Sequence, residues 1–222
     1  MTAADLPRTG DLTYIIWDWN GTLLDDAAYC LDLTDRILKA FRLPPMETLE
    51  VYREKFGFPV KDYYASLGLD PLIFPEAAVL WMDSYMHDEA SIPLHRDAVE
   101  AAKWFSGKSI RQVVISASKI ENLQKQLGSR PYFDHFDPPC GLGDIYAGSK
   151  TDIALQWRRT HQPDPRRVLL IGDTIHDMEV ARSLGCPCIL VENGHQSKRR
   201  LRQAGALTCP SLTHVIRLLE SV

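Results

Sequence analysis

Four short apolar runs limit how this chain can fold. They are Tyr14-Ile15-Ile16-Trp17-Asp18, Arg111 to Ser116, Arg167 to Asp173 and Pro187 to Glu192. Each is short, rich in Ile, Val or aromatic residues, and continuous rather than alternating. Runs of this kind predict strands covered on both faces, as in a parallel sheet. Helical patterns fill most of the intervals: Ala98 to Ser106, Lys119 to Leu127, Thr151 to His161, and Met178 to Leu184 with Gly185 as its stop. Ser197 to Ala204 and Leu212 to Leu219 follow. The alternation predicts an open α/β sheet with right-handed crossovers.

Residues 25–94 break the rhythm, because only helical patterns separate the first run from the second. Ala27 to Phe41, Glu47 to Phe56 and Val60 to Leu67 read as three helices. A fourth starts at Pro75, with Ala78, Val79, Met82, Tyr85 and Met86 on one side. A βα connection is normally about two to six residues, so this stretch is expected to be an inserted helical cap domain, 25–94. Residues 1–24 and 95–222 would then form the α/β core. The insertion follows the carboxyl end of the first strand, where open α/β sheets bind ligands, so it reads as a lid.

Composition narrows the function classes. Lys and Arg total 25 against 29 Asp and Glu, a net charge of -4, which argues against general nucleic-acid or membrane-surface binding. No apolar run approaches the roughly 18 residues of a membrane span, and the first residues lack the basic and apolar regions of a secretory signal. Five scattered cysteines read as reduced thiols of a cytoplasmic protein.

The chemistry gathers at strand ends. Asp18 closes the first run and leads into Trp19-Asn20-Gly21-Thr22; Ser116 closes the second. Lys150 precedes a helix, and Gly172-Asp173-Thr174-Ile175-His176-Asp177 joins a strand to a helix. Carboxylates, hydroxyls and one ammonium would converge above one sheet edge. Converged carboxylates repel, so they either bind protons or hold a cation. An oxygen-only donor set suits Mg²⁺ with a substrate phosphate. A carboxylate nucleophile beside a cation, a Lys and a hydroxyl suits phosphoryl transfer through an aspartyl-phosphate.

These motifs, in this order, resemble the haloacid dehalogenase superfamily, and most of all its phosphoglycolate-phosphatase-like branch with a small helical cap. The resemblance implies a Rossmann-like α/β core, Mg²⁺ as cofactor and a small phosphorylated substrate, in a monomer or homodimer. It implies Asp18 as nucleophile, and Mg²⁺ held by Asp18, the Asn20 main-chain carbonyl and Asp173, with Asp177 in support. Ser116 and Lys150 would hold the phosphoryl group, and Thr22 would steady the first loop. The catalytic set is thus Asp18, Asn20, Ser116 and Lys150. The substrate-binding set is Thr22, Ser116, Ala117, Lys150 and Lys61, the last from a cap stretch, Lys55 to Tyr64, whose aromatics serve either recognition or the cap's own core.

One position departs from the pattern. Family phosphatases usually carry a second Asp where Asn20 stands, as the acid and base of the two half-reactions. An amide cannot titrate in that role, and general acid–base help is worth about 10²–10⁴-fold. Three readings follow. The first is a phosphatase suited to good leaving groups or borrowing another proton donor such as His176. The second is a phosphonoacetaldehyde-hydrolase-like enzyme using a cap lysine (Lys39, Lys55 or Lys61). The third is a phospholigand binder with little turnover.

Weaker signals remain. Gly143 to Thr151 nearly spells a nucleotide P-loop, but has one residue too many before Lys150, and Pro138-Pro139 argue against a strand ahead of it. Cys186-Pro187-Cys188 lacks a second pair at zinc spacing and reads as core packing. His176 and His195 are either site residues or loop residues. Lys198 to Arg202 reads as a solvated basic face.

Overall fold

The computed structural model describes residues 2–144 and 150–221. Its centre is a six-stranded parallel sheet made of β1 (Tyr14–Trp17), β2 (Arg111–Lys119), β3 (Asp137–Leu142), β4 (Val168–Gly172), β5 (Cys188–Val191) and β6 (Thr208–Cys209). The strand order is β3-β2-β1-β4-β5-β6. The order reverses beside β1, which pairs with β2 on one side and β4 on the other. Ligands of open α/β sheets bind at such a reversal, outside the carboxyl ends of the strands.

Side-chain alternation along β1 serves two cores. Ile15 and Trp17 enter one buried cluster, Tyr14 and Ile16 the other. The central strands are fully buried, which explains their uninterrupted apolar sequence. Cys188 is buried in the second cluster with Cys186 packed against it, so the Cys-Pro-Cys segment is core. Among the described residues no helix is long and apolar enough to cross a membrane.

Two strands escaped the apolar reading. β3 contains Pro138 and Pro139, yet it is an edge strand, where a missing N–H donor is tolerated. The expectation that no strand precedes the P-loop-like stretch is therefore corrected; residues 145–149 of that stretch lie outside the described residues. β6 has two residues, too few to leave a pattern.

Between β1 and β2 lie α1 (Ala27–Ala40), α2 (Leu49–Lys55), α3 (Val60–Ser66) and α4 (Phe74–Asp88). The remaining helices alternate with the strands: α5 (Ala98–Ser106), α6 (Ile120–Gly128), α7 (Lys150–His161), α8 (Ile175–Leu184), α9 (Lys198–Gln203) and α10 (Leu212–Glu220). α1 is amphipathic: Cys30, Leu33, Ile37 and Leu38 are buried, while Asp32 and Arg36 pair in solvent at 3.1 Å. α4 carries Pro75 in its first turn, as expected. Ala78, Met82, Tyr85 and Met86 line a cavity, but Val79 is 43% exposed, so the α4 face is narrower than predicted.

Candidate active site

Asp18 continues β1 by one residue, its N–H donating to the Ile171 carbonyl of β4 at 2.9 Å. The tryptophans on either side are anchored. Trp17 Nε1 donates to Gln112 Oε1 and Trp19 Nε1 to Gln126 Oε1, both at 2.9 Å. The chain then turns at Gly21, whose φ of 77° favours glycine; a side chain there would also run into Asp173 and His195.

Lys150, at the start of α7, is 2% exposed and bridges two carboxylates. Its Nζ donates to Asp18 Oδ1 at 2.5 Å and to Asp177 Oδ1 at 2.6 Å. Asp18 Oδ2 accepts from the Thr22 hydroxyl at 3.1 Å. The other oxygen of Asp177 closes a capping box with Thr174 at the head of α8, accepting from Thr174 N at 3.0 Å and Thr174 Oγ1 at 2.6 Å. Asp173 accepts from His195 N at 2.5 Å. One oxygen each of Asp18, Asp173 and Asp177 lies within 4.8 Å of the others.

Burial and crowding decide the charge states. Burial pushes the Asp18 carboxyl up to about 6, against the pull of Lys150. Burial also raises Asp173 well above the carboxylate range; the charges of Asp18 and Asp177 add to this, and His195 opposes it. For Asp177, burial is outweighed by Lys150 and Thr174, and the group is held low. Lys150 would be lowered by burial, but Asp177 and Asp18 hold it well above its usual value. Lys150 serves two of the three buried carboxylates, and crowding of this kind is relieved by a bound proton or by a divalent cation. The donors are all hard oxygens, and they fit Mg²⁺.

Ser116, at 1% exposure in β2, donates to Ser118 Oγ at 3.1 Å and accepts from Ser118 N at 3.1 Å. Ser118 Oγ in turn donates to Asn20 Oδ1 at 2.8 Å. The Asn20 amide donates to Asp26 Oδ2 at 2.7 Å and to Tyr85 Oη at 2.8 Å, and Tyr85 Oη donates to the same Asp26 oxygen at 2.7 Å. Asp26 Oδ1 accepts from Gly21 N at 2.8 Å and faces His195 Nε2 at 3.1 Å; His195 Nδ1 meets Tyr52 Oη at 2.8 Å. Burial would raise Asp26, yet His195, Asn20 and Tyr85 hold it low. Burial would lower His195, yet Asp26 holds it up at about 9. The pair is a buried ion pair (side-chain exposure 5% and 0%).

These groups border a cavity of about 150 Å³. Asp18, Asn20, Ser116, Ala117, Lys150, Asp173 and Asp177 line it, as does His176, whose ring stacks on Phe58 at 4.9 Å. Thr22 lies behind Asp18, 0% exposed. Lys61 does not join them. It is exposed on the first turn of α3, because that helix turns Tyr63 and Tyr64 inward. The substrate-binding expectation for Lys61 is thereby corrected. Lys39 and Lys55 are exposed as well, so none of the three lysines weighed as an imine-forming amine lines the cavity.

The model of the haloacid dehalogenase-like hydrolases matches residues 15–191. The chain belongs to this family. Among curated proteins, Enolase-phosphatase E1 of Shewanella oneidensis is 25% identical over 121 residues, 53% of this chain and 54% of that protein. The chain thus matches about half the length of that relative. A haloacid dehalogenase-like hydrolase of Streptococcus pneumoniae has the same fold, with a TM-score of 0.80 at 20% identity over 93% of this chain and 98% of the other. CbbY of Rhodobacter sphaeroides, solved with phosphate, gives 0.72 at 19% over 94% and 99%.

As a haloacid dehalogenase-like hydrolase, the chain carries the motif residues above together with a second set that its motifs do not announce. Asp26, Ser118 and Tyr52 had no signal beyond the Asp25-Asp26 doublet, Tyr85 only its place on one side of the fourth helix, and His195 only its place in a Gly-His loop. That loop also fastens α2. Arg53 Nε and Nη2 donate to the carbonyls of Gly194 and Asn193 at 2.7 and 2.6 Å. Gln196 Nε2 and Arg200 Nη1 donate to the Phe56 carbonyl at 3.1 and 2.5 Å, and Glu54 pairs with Arg199.

Proposed function

We propose that this protein is an Mg²⁺-dependent phosphate monoester hydrolase acting on a small phosphorylated metabolite through an aspartyl-phosphate on Asp18. The observation that carries the reading is the Lys150 bridge. Lys150 fixes one Asp18 oxygen and Thr22 the other, at the reversal point of the sheet and the edge of a cavity. Asp18, Asp173 and the Asn20 carbonyl would hold the metal, with Asp177 supporting through Lys150 and the head of α8. The metal, when bound, supplies positive charge to the phosphoryl oxygens.

The chain's own groups do the rest. The Asp18 carboxylate attacks phosphorus, and the ester P–O bond breaks with its electron pair leaving on the alcohol oxygen. Water then attacks the same phosphorus, the Asp18 carboxylate departs, and inorganic phosphate and a proton are released. Lys150 and Ser116 hold the phosphoryl oxygens through both steps. Residues 25–94 act as a cap that excludes bulk water, over a core of 1–24 and 95–222. Five free thiols suit a reducing, cytoplasmic setting.

The test is phosphate release from an aryl phosphate with and without Mg²⁺, with mass spectrometry of rapidly quenched enzyme. Metal-dependent release, a phosphoryl group on Asp18, and background turnover in Asp18→Asn are the expected results. Full turnover in Asp18→Asn would sink the reading.

A further inference from the structure

The cavity carries information about the leaving group. On its insertion side it is lined by Phe56, Phe58, Trp81, Met82, Tyr85 and Met86. Among the described lining residues Lys150 is the only Lys or Arg, and its ammonium is shared between Asp18 and Asp177. Residues 145–149 contain neither type. The two lining histidines face carboxylates of their own, His195 on Asp26 and His176 on Glu179 at 3.3 Å. Arg53 is turned to the Asn193 and Gly194 carbonyls. A second anionic group on the substrate would therefore meet no free cationic side chain, only the unpartnered nitrogens Trp81 Nε1, Gln126 Nε2 and His176 Nε2 among rings and thioethers, and its burial there without a counter-charge carries a high cost. A neutral ring would gain stacking and sulfur–aromatic contacts there.

A separate observation selects the same chemistry. Asn20 offers no proton to a departing oxygen, and its amide is already engaged by Asp26 and Tyr85. A leaving group that departs well as an anion is then favoured. Phenols have pKa values of about 10, against about 16 for a water-like hydroxyl.

We infer that the substrate is the phosphate monoester of a small, otherwise uncharged phenol, and not a phosphorylated carboxylate or sugar bisphosphate. The inference rests on the phosphatase reading and adds its specificity. In the first half-reaction the Asp18–phosphorus bond forms and the phosphorus–aryl oxygen bond breaks. The phenolate leaves with the electron pair and takes its proton from solvent. Hydrolysis of the acyl-phosphate then regenerates Asp18.

The experiment compares wild type on phenyl, cyclohexyl and acetyl phosphate and on phosphoglycolate, with Asp18→Asn as control. Phenyl phosphate should exceed phosphoglycolate in kcat/KM by about 100-fold or more, and should also exceed cyclohexyl phosphate, which has a similar size and a poor leaving group. Across ring-substituted phenyl phosphates, log kcat/KM should fall steeply as the phenol pKa rises. Trp81→Leu should lower the phenyl-to-acetyl ratio of kcat/KM. Parity with phosphoglycolate or cyclohexyl phosphate, a flat dependence on phenol pKa, or an unchanged ratio in Trp81→Leu would overturn the inference. Asp18-dependent hydrolysis of acetyl phosphate without hydrolysis of phenyl phosphate would overturn it while leaving the phosphatase reading intact. Silence on both substrates would overturn the two together.

Discussion

Asn20 engages partners through both its carbonyl and its amide: Ser118 on the oxygen, Asp26 and Tyr85 on the nitrogen. A carboxylate at this position would face the buried, ionised Asp26 where the amide now donates at 2.7 Å. Asn20→Asp is therefore expected to lose activity and about 2–4 kcal/mol of stability. Asn20→Asp with Asp26→Asn removes that repulsion but also removes the carboxylate paired with His195, so it should recover only part of the stability; urea unfolding and phosphate release on the single and double variants check this. His195 gives a pH signature. Its folded pKa, about 9, exceeds the usual 6.5, so its pairing with Asp26 stabilises fully below about pH 6.5 and is lost as pH rises through 9. The stability gap between wild type and His195→Gln, on the order of 3 kcal/mol at pH 6, should close between those limits. None of this network could be read from the sequence, because Asn20, Tyr85, Ser118 and His195 meet only across the folded chain. Asp18, Ser116, Lys150, Asp173 and Asp177 could be read as a converging cluster because each stands at a strand end or helix start.

Helix α2 is joined to the 193–200 segment by two kinds of bond, and they should differ in weight. Arg53 is half-buried and donates to two carbonyls, and charged hydrogen bonds of this kind contribute about 1.5–3 kcal/mol. Glu54 and Arg199 pair near the surface, where such pairs give about 0–1 kcal/mol and weaken in salt. Arg53→Ala is expected to raise KM severalfold and lower the urea midpoint. Glu54→Gln should change neither by more than the effect of added salt on wild type. Measuring KM and the midpoint at low and high salt separates them. The elements themselves were legible in proportion to their apolar content. β1, β2, β4 and β5 are buried runs, whereas β3 pairs through a stretch containing Pro138 and Pro139, and β6 is too brief to show periodicity. On α4 the helical spacing was right, but it could not tell that Val79 turns to solvent while Met82 and Tyr85 face the cavity.

The sheet order brings Asp18 and Asp173 to neighbouring strand ends, and α7 and α8 bring Lys150 and Asp177 beside them. Asp18, Asp26, Asp173 and Asp177 are buried around two cations, Lys150 and His195, which leaves the native state short of positive charge. Mg²⁺ should therefore raise the melting temperature, with a gain of about 2.7 kcal/mol at a hundredfold excess over Kd. Because burial raises Asp18 to about 6 and Asp173 well above its usual value, protons compete with the metal for both groups, and the gain should shrink as pH falls from 8 to 5. Thermal melts with Mg²⁺ and with EDTA at pH 8 and pH 5 test both statements; equal gains at the two pH values would contradict the charge argument.

The 193–200 segment has two allegiances. At one end His195 N holds the Asp173 carboxylate; on either side the same few residues grip Arg53 and Phe56. The carbonyls that fix Arg53 and the backbone N–H that fixes Asp173 belong to three consecutive residues, Asn193, Gly194 and His195, so one short loop sets both where α2 sits and where Asp173 is aimed.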